Sequence, residues 1–172
     1  MTTIIKNRKA VSDDFTVIRL AEGETAEAVS LPAGPLLVPL AVWNARKAEL
    51  NDLQARGTPI GVWLDVTEGP ETIATDLGSF TVVGVNFPKF TDGRGYSTAR
   101  LLRERYSYSG ELRAIGDVLH DQLFLMARCG FDAFALKEGK DVAKALAAFE
   151  TFKVPYQAAF DQPQPLFRRR AA

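Results

Sequence analysis

The stretch Phe87-Pro88-Lys89-Phe90-Thr91-Asp92-Gly93-Arg94-Gly95-Tyr96-Ser97 gathers the groups that hold an anion. Lys89 and Arg94 supply positive charge, and Asp92 a carboxylate for proton or hydroxyl contacts. Glycines at 93 and 95 let backbone N–H groups turn toward a ligand without side-chain obstruction, and Ser97 adds a hydroxyl. At the start of a helix such a cradle suits phosphate, sulfate or sulfite. The competing reading is a tight turn whose arginine pairs with a carboxylate such as Asp92 or Asp117. Gly93-x-Gly95 also matches part of a dinucleotide fingerprint. Thr98 stands where the third glycine belongs, however, and seven residues separate Val85 from Gly93, where that fingerprint has a tight turn.

Further candidates follow apolar runs. Asp65, Asp117 and Lys137 each stand just past a predicted strand and can converge on the edge that carries the loop. Asp65, Asp92 and Asp117 are therefore the candidate catalytic carboxylates, suited to acid–base work or a divalent ion. Turn formation by Asp65 and helix capping by Asp117 are the structural alternatives. Arg113 alternates with Leu112 and Ala114 in a short strand. Pointing into a sheet layer it needs a partner, as an anion ligand or as a buried ion-pair anchor. Cys129 precedes a helix-ending glycine, the wrong end of a helix for stabilising a thiolate, and reads as a structural thiol. His120 reads as a surface residue.

The elements that must position these groups alternate. Leu36-Leu37-Val38-Pro39 is a short strand, and 41–56 reads as a helix closed by Gly57. Ile60 to Asp65 is an apolar strand, as suits a parallel strand covered on both faces. A short helix over 70–77 leads to the strand 80–85 and the organising loop. Then come a helix from Tyr96, a strand 111–115, a helix beginning at Asp117, a strand 131–136 and a last amphipathic helix through Val142, Leu146 and Phe149. About five β/α units imply an α/β fold with a mainly parallel sheet. They are too few for a complete eight-fold barrel of about 250 residues. A partial (β/α)-barrel-like sheet is favoured over an open doubly wound one. Residues 1–172 read as one domain. Residues 1–35 form an N-terminal arm or hairpin, packed on the surface or serving as a lid or a dimer arm, the last allowing a homodimer. Residues 155–172 form an extended C-terminal tail.

Composition excludes several classes. Lys plus Arg and Asp plus Glu both total 21 in 172 residues, so no global field points to nucleic acid or to an acidic membrane. No apolar run reaches spanning length, and the first residues do not resemble a signal peptide, which sets a cytoplasmic location as the expectation. One cysteine and one histidine leave no internal disulfide, no cysteine-held iron–sulfur site and no structural zinc within a chain. No metal site is expected.

The series Gly93-Arg94-Gly95-Tyr96-Ser97, Gly110-Glu111-Leu112-Arg113-Ala114, Gly116-Asp117-Val118-Leu119, Asp121-Gln122 and Arg128-Cys129-Gly130-Phe131-Asp132-Ala133-Phe134 resembles a proteobacterial domain-of-unknown-function family usually encoded beside assimilatory sulfite reductase. Its members are often described as oxidoreductases of sulfite reduction. The resemblance covers most of the chain, is densest over 86–136, and carries no assigned catalytic residues. It implies a role in that pathway. Sulfite reduction takes six electrons and a cofactor such as sirohaem with an iron–sulfur cluster, which one cysteine cannot hold. The expectation is an accessory protein or oxidoreductase that binds a small anion in the 89–97 loop. The alternative is a non-catalytic module that docks on sulfite reductase or another sulfur-assimilation enzyme. No haem or iron–sulfur cluster is expected in the isolated chain; its cofactor, if it has one, is left open.

Overall fold

A computed structural model describes residues 2–170. The chain begins with a hairpin, β1 (Thr2–Lys6) and β2 (Lys9–Asp13), then β3 (Thr16–Val17) and β4 (Leu36–Pro39). The helices α1 (Leu40–Ala45) and α2 (Lys47–Ala55) lead to β5 (Ile60–Leu64), and two 3-10 turns lead to β6 (Val82–Phe87). After α3 (Arg94–Glu104) come β7 (Glu111–Gly116), α4 (Leu123–Cys129), β8 (Ala133–Phe134), α5 (Val142–Ala148) and α6 (Leu166–Arg169).

Among the described residues eight strands form one sheet in the order β2-β1-β8-β7-β6-β5-β4-β3. From β3 to β8 every strand lies parallel to the one before it in the chain. The chain thus steps across the sheet in one direction and never reverses. Right-handed crossovers taken always in one direction place every helix on the same face. The packing agrees: Val38, Val62, Val83, Leu112 and Phe134 share a core with helix residues Trp43, Leu50, Leu102 and Met126. On the other face Leu37, Val82 and Ile115 pack instead with Phe15, Val17, Trp63 and Ala135. The architecture is a curled α/β half-barrel, the favoured expectation, and an open doubly wound sheet is excluded.

The N-terminal hairpin extends this sheet. β1 runs antiparallel to β8, with Ile5 opposite Phe134 and Lys6 opposite Ala133. Only Asp14 and Phe15 lie between β2 at one edge and β3 at the other. Three residue steps of extended chain span about 10 Å, so the sheet must curl until its edges come that close. Phe15 turns into the concave side, and the Arg113 guanidinium lies 5.1 Å from its ring centre.

Some elements differ from expectation for local reasons. The 41–56 helix is interrupted at Arg46 (φ −122°, ψ 30°), whose guanidinium reaches back to the Val29 carbonyl. Residues 70–77 form the 3-10 turn Pro70–Ile73 and the start of another at Leu77. Strand 131–136 shortens to two residues. No helix begins at Asp117. A 3-10 turn starts at His120 and α4 at Leu123, and the Gln122 side chain accepts from the Leu119 N–H. Asp117 is therefore no helix cap. The segment after α5 folds back on α4, where the Phe160 N–H donates to the Arg128 carbonyl.

Candidate functional site

The C-terminal ends of β5, β6, β7 and β8 open on one side, the side where parallel α/β sheets and barrels place their ligands. Each strand delivers a polar residue there. Asp65 follows β5; its Oδ1 accepts from Asn86 Nδ2 at 3.0 Å, and its own N–H donates to Glu68 at 2.7 Å. Asn86, buried near the end of β6, directs its amide oxygen toward Arg19 Nη2 at 3.5 Å. The Arg19 guanidinium lies 5.3 Å from the ring centre of Trp63, and Trp63 Nε1 donates to the Ile18 carbonyl at 2.9 Å. The segment after β3 thus brings a cation across the mouth of the half-barrel.

Asp117 stands where β7 leaves the sheet. The turn depends on Gly116, whose φ is +96°, and a Cβ there would lie 2.4 Å from the Phe87 carbonyl oxygen. That approach lets the Asp117 N–H donate to the same carbonyl at 2.7 Å. Lys137 Nζ lies 2.9 Å from Asp117 Oδ1, and this ammonium holds the Asp117 carboxyl below its usual range. The contact is a charge pair without hydrogen-bond alignment: Oδ1 is buried and accepts no aligned hydrogen bond. Arg19, Asn86, Phe87, Pro88, Gly116, Asp117 and Lys137 enclose an open cleft of about 400 Å³.

The loop itself is arranged differently. Asp92 Oδ1 accepts from the Arg94 N–H at 3.2 Å and from Arg94 Nε at 3.0 Å, while Oδ2 lies 2.6 Å from Nη2. Arg94 thereby holds the Asp92 carboxyl below its ordinary range, and the guanidinium is stabilised in return. A carboxylate of the chain itself occupies the positive start of α3. Gly95 is buried, and a Cβ there would meet the Phe87 ring at 2.7 Å. This glycine serves the seating of α3 on β6. Gly93 has an ordinary φ of −89°. Lys89 and Ser97 are exposed. The Phe90 N–H donates to Asp117 Oδ2 and its carbonyl accepts from Gln122, both at 3.2 Å, so the loop is pinned to the end of β7.

Asp65, Asp117 and the 88–97 loop therefore share the mouth. Arg113 does not reach it. It lies on β7 and is nearly fully buried. Its Nη1 is 3.0 Å from both carboxylate oxygens of Asp13, and its Nε donates to Glu111 at 2.6 Å. Lys6 completes the network, 2.6 Å from Glu111. Cys129 ends α4 half-buried, and burial pushes its thiol up. Among the described residues no three His, Cys, Asp or Glu side chains gather to hold a metal ion, and no helix is long and apolar enough to cross a membrane.

Sequence reasoning missed Arg19 and Asn86. Asn86 has a local signal, a polar residue near the end of the apolar run from Val82. Arg19 has none, because its place depends on the 13–19 segment closing the curl.

A mainly parallel half-barrel with a polar mouth defines the structural class. Within it the chain belongs to the family described as "Bacterial protein of unknown function (DUF934)", whose model matches residues 61–167. The match runs from within β5 to within α6 and includes every mouth residue except Arg19. No curated protein matches the chain.

Proposed function

We propose that this protein serves assimilatory sulfite reduction, as an accessory protein or oxidoreductase, by binding a small oxyanion at the mouth of its half-barrel. The observation that carries the binding half is the cleft. It pairs cations from two distant segments, Arg19 and Lys137, with a buried Asp117 oxygen that accepts no aligned hydrogen bond. Two cations suit an anionic group, and Asp117 Oδ1, once Lys137 turns to that group, suits a hydroxyl or a protonated oxygen on the same ligand. The sulfur assignment rests on the resemblance in the motif series from Gly93 to Phe134. We read the anion on the Arg19–Lys137 side because, among the described residues, no carboxylate lies within 4.0 Å of Arg19. Asp92, by contrast, holds Arg94 by two side-chain hydrogen bonds, while Lys137 would exchange its single contact with Asp117 for the ligand.

The test is a thermal-shift and calorimetric titration with sulfite, sulfate and phosphate. A ligand present at 100 times its Kd stabilises the native state by about 2.7 kcal/mol. Sulfite is expected to bind in preference to phosphate, and Lys137→Ala is expected to weaken it roughly tenfold, the scale of one charge-assisted hydrogen bond. No saturable binding of any of the three would overturn the anion site.

A second reading has its own observation. Phe90 is 45% exposed at the crest of the loop, beside exposed Lys89 and the Asp92–Arg94 pair. An exposed aromatic among charges suits a protein interface. On this reading the mouth docks an enzyme of sulfur assimilation, and Phe90→Ala abolishes co-purification with it while small-anion titrations stay flat.

A further inference from the structure

The opposite end of the sheet carries a second concavity that the mouth does not explain. Asn7 and Arg8 form the turn between β1 and β2 with φ of 50° and 59°, left-handed values uncommon for residues with side chains. The turn is fixed to the sheet by the Asn7 N–H, which donates to the Asp132 carbonyl at 2.8 Å. The Arg8 guanidinium lies 5.7 Å from the ring centre of Phe149. Against this pair opens a largely apolar cavity of about 230 Å³, walled by Phe131, Phe134, Phe149 and Phe160. A more polar one of about 320 Å³ shares Arg8, Phe149 and Asp161 with it and adds Lys153 and Arg169.

The charges in this double cavity are unevenly used. Asp161 is engaged by Arg128 at 3.4 Å. Among the described residues no ion pair within 4.0 Å involves Arg8, Lys153 or Arg169. Arg169 donates from Nη2 to the Pro155 carbonyl at 2.9 Å, while its Nε is buried with no partner. Three cations from three separate segments thus line one space, against Glu150 as the remaining unpaired carboxylate. Converging cations attract an anion, and a buried N–H without an acceptor is costly until it finds one. Phenylalanine faces beside them favour a planar apolar body.

We infer that this double cavity binds an amphipathic anion. Its aromatic or planar apolar part lies among the phenylalanines. Its carboxylate, phosphate ester or sulfonate lies between Arg8, Lys153 and Arg169. The competing account is structural. α4 and α5 both end at this side, and cations near helix C-termini interact favourably with the exposed carbonyls. On that account the cations contribute to stability alone.

Naphthalene sulfonate is the probe, titrated calorimetrically into the whole chain, with naphthalene methanol and sulfate as controls. The sulfonate is expected to bind saturably in the micromolar range and at least tenfold more tightly than either control. Arg8→Gln with Arg169→Gln is expected to weaken it at least tenfold with an unchanged unfolding midpoint. Arg8→Lys with Arg169→Lys should retain most of the affinity, and Lys137→Ala at the mouth should leave it unaltered. Should the double glutamine variant not fold, Arg8→Gln alone is read in the same way. No saturable binding up to millimolar probe overturns the inference. So does equal affinity for the neutral alcohol, or unaltered affinity in the glutamine variant. Loss of affinity only in parallel with a fall in the unfolding midpoint supports the helix-terminus account and overturns it too.

Discussion

Two ionic clusters in this half-barrel are built from the same residue types and differ in what surrounds them. Inside the curl, Arg113 joins Asp13 and Glu111, and all three side chains are at most 6% exposed. At the mouth, Arg94 pairs with Asp92 and Lys137 with Asp117, and the cations are 58% and 54% exposed. The interior network ties β7 to β2 and, through Lys6, to β1. In a dry interior the charges have no alternative partner, so the network specifies the closure of the sheet. At the mouth water competes for each charge, the pairs are individually weak, and a ligand can take a partner's place. Burial, more than residue type, separates the structural arginine from those available for binding.

The largest expected effect breaks the interior cluster. Arg113→Ala leaves Asp13 buried without a cation and Glu111 with Lys6 alone. Removing one partner of a buried pair costs roughly 3–5 kcal/mol, which should appear as a large fall in the urea midpoint. Replacing Arg113, Glu111 and Asp13 together with Met, Leu and Leu removes the stranded charges and should recover most of that loss, with Lys6 free to reach water. A midpoint for Arg113→Ala within about 1 kcal/mol of wild type, the scale of an exposed pair, would dissolve the contrast between the clusters.

Next in size is Gly116→Ala, which strikes the mouth through its backbone. The left-handed φ and the 2.4 Å approach to the Phe87 carbonyl oxygen predict a loss of about 1–3 kcal/mol. The same carbonyl receives the Asp117 N–H, so anion titrations should weaken as well. Unchanged stability and unchanged titration would show that the turn tolerates a side chain and that Asp117 is positioned by other means.

The half-barrel was legible because its signals are local. The apolar runs at 60–65 and 80–85 read as strands, which the structure sets at Ile60–Leu64 and Val82–Phe87, and the repeated strand–helix alternation implied one crossover after another. The closure was not legible, because it depends on distant partners. Arg113 meets Asp13 across 100 residues of chain, and Lys6 faces Ala133. Nothing near Arg113 distinguishes a clamp from an anion ligand. Asp117 resembles a cap because it follows a glycine and precedes a helical pattern. Its carboxylate instead takes the Phe90 N–H and the Lys137 ammonium, neither visible in its own neighbourhood. Arg94 and Asp92, two residues apart, were readable as a pair and as a cradle alike.

The smallest effect distinguishes the mouth pairs by pH. Asp92 and Asp117 are both held below their ordinary value of 3.8, chiefly by Arg94 and Lys137 respectively. A carboxyl depressed in the folded state contributes stability that is fully present above its unfolded pKa and is lost as pH falls through its folded one. The sign reverses for Asp132, which burial raises. Acidification through its folded pKa relieves a buried charge, so the wild-type profile alone mixes both signs and the mutant differences must be read. Asp92→Asn and Asp117→Asn should each be slightly less stable than wild type at pH 7. Each difference should begin to shrink as the pH falls through 3.8, where the unfolded carboxyls protonate, and should be lost as it passes the lower folded values. Salt should shrink them too, because exposed pairs are screened. Urea midpoints for the three proteins at neutral pH and at about pH 3 decide the matter. A difference for Asp117→Asn that survives in acid would mean that Asp117 acts through something other than its charge, and would remove the Lys137 pair as the source of the stabilisation.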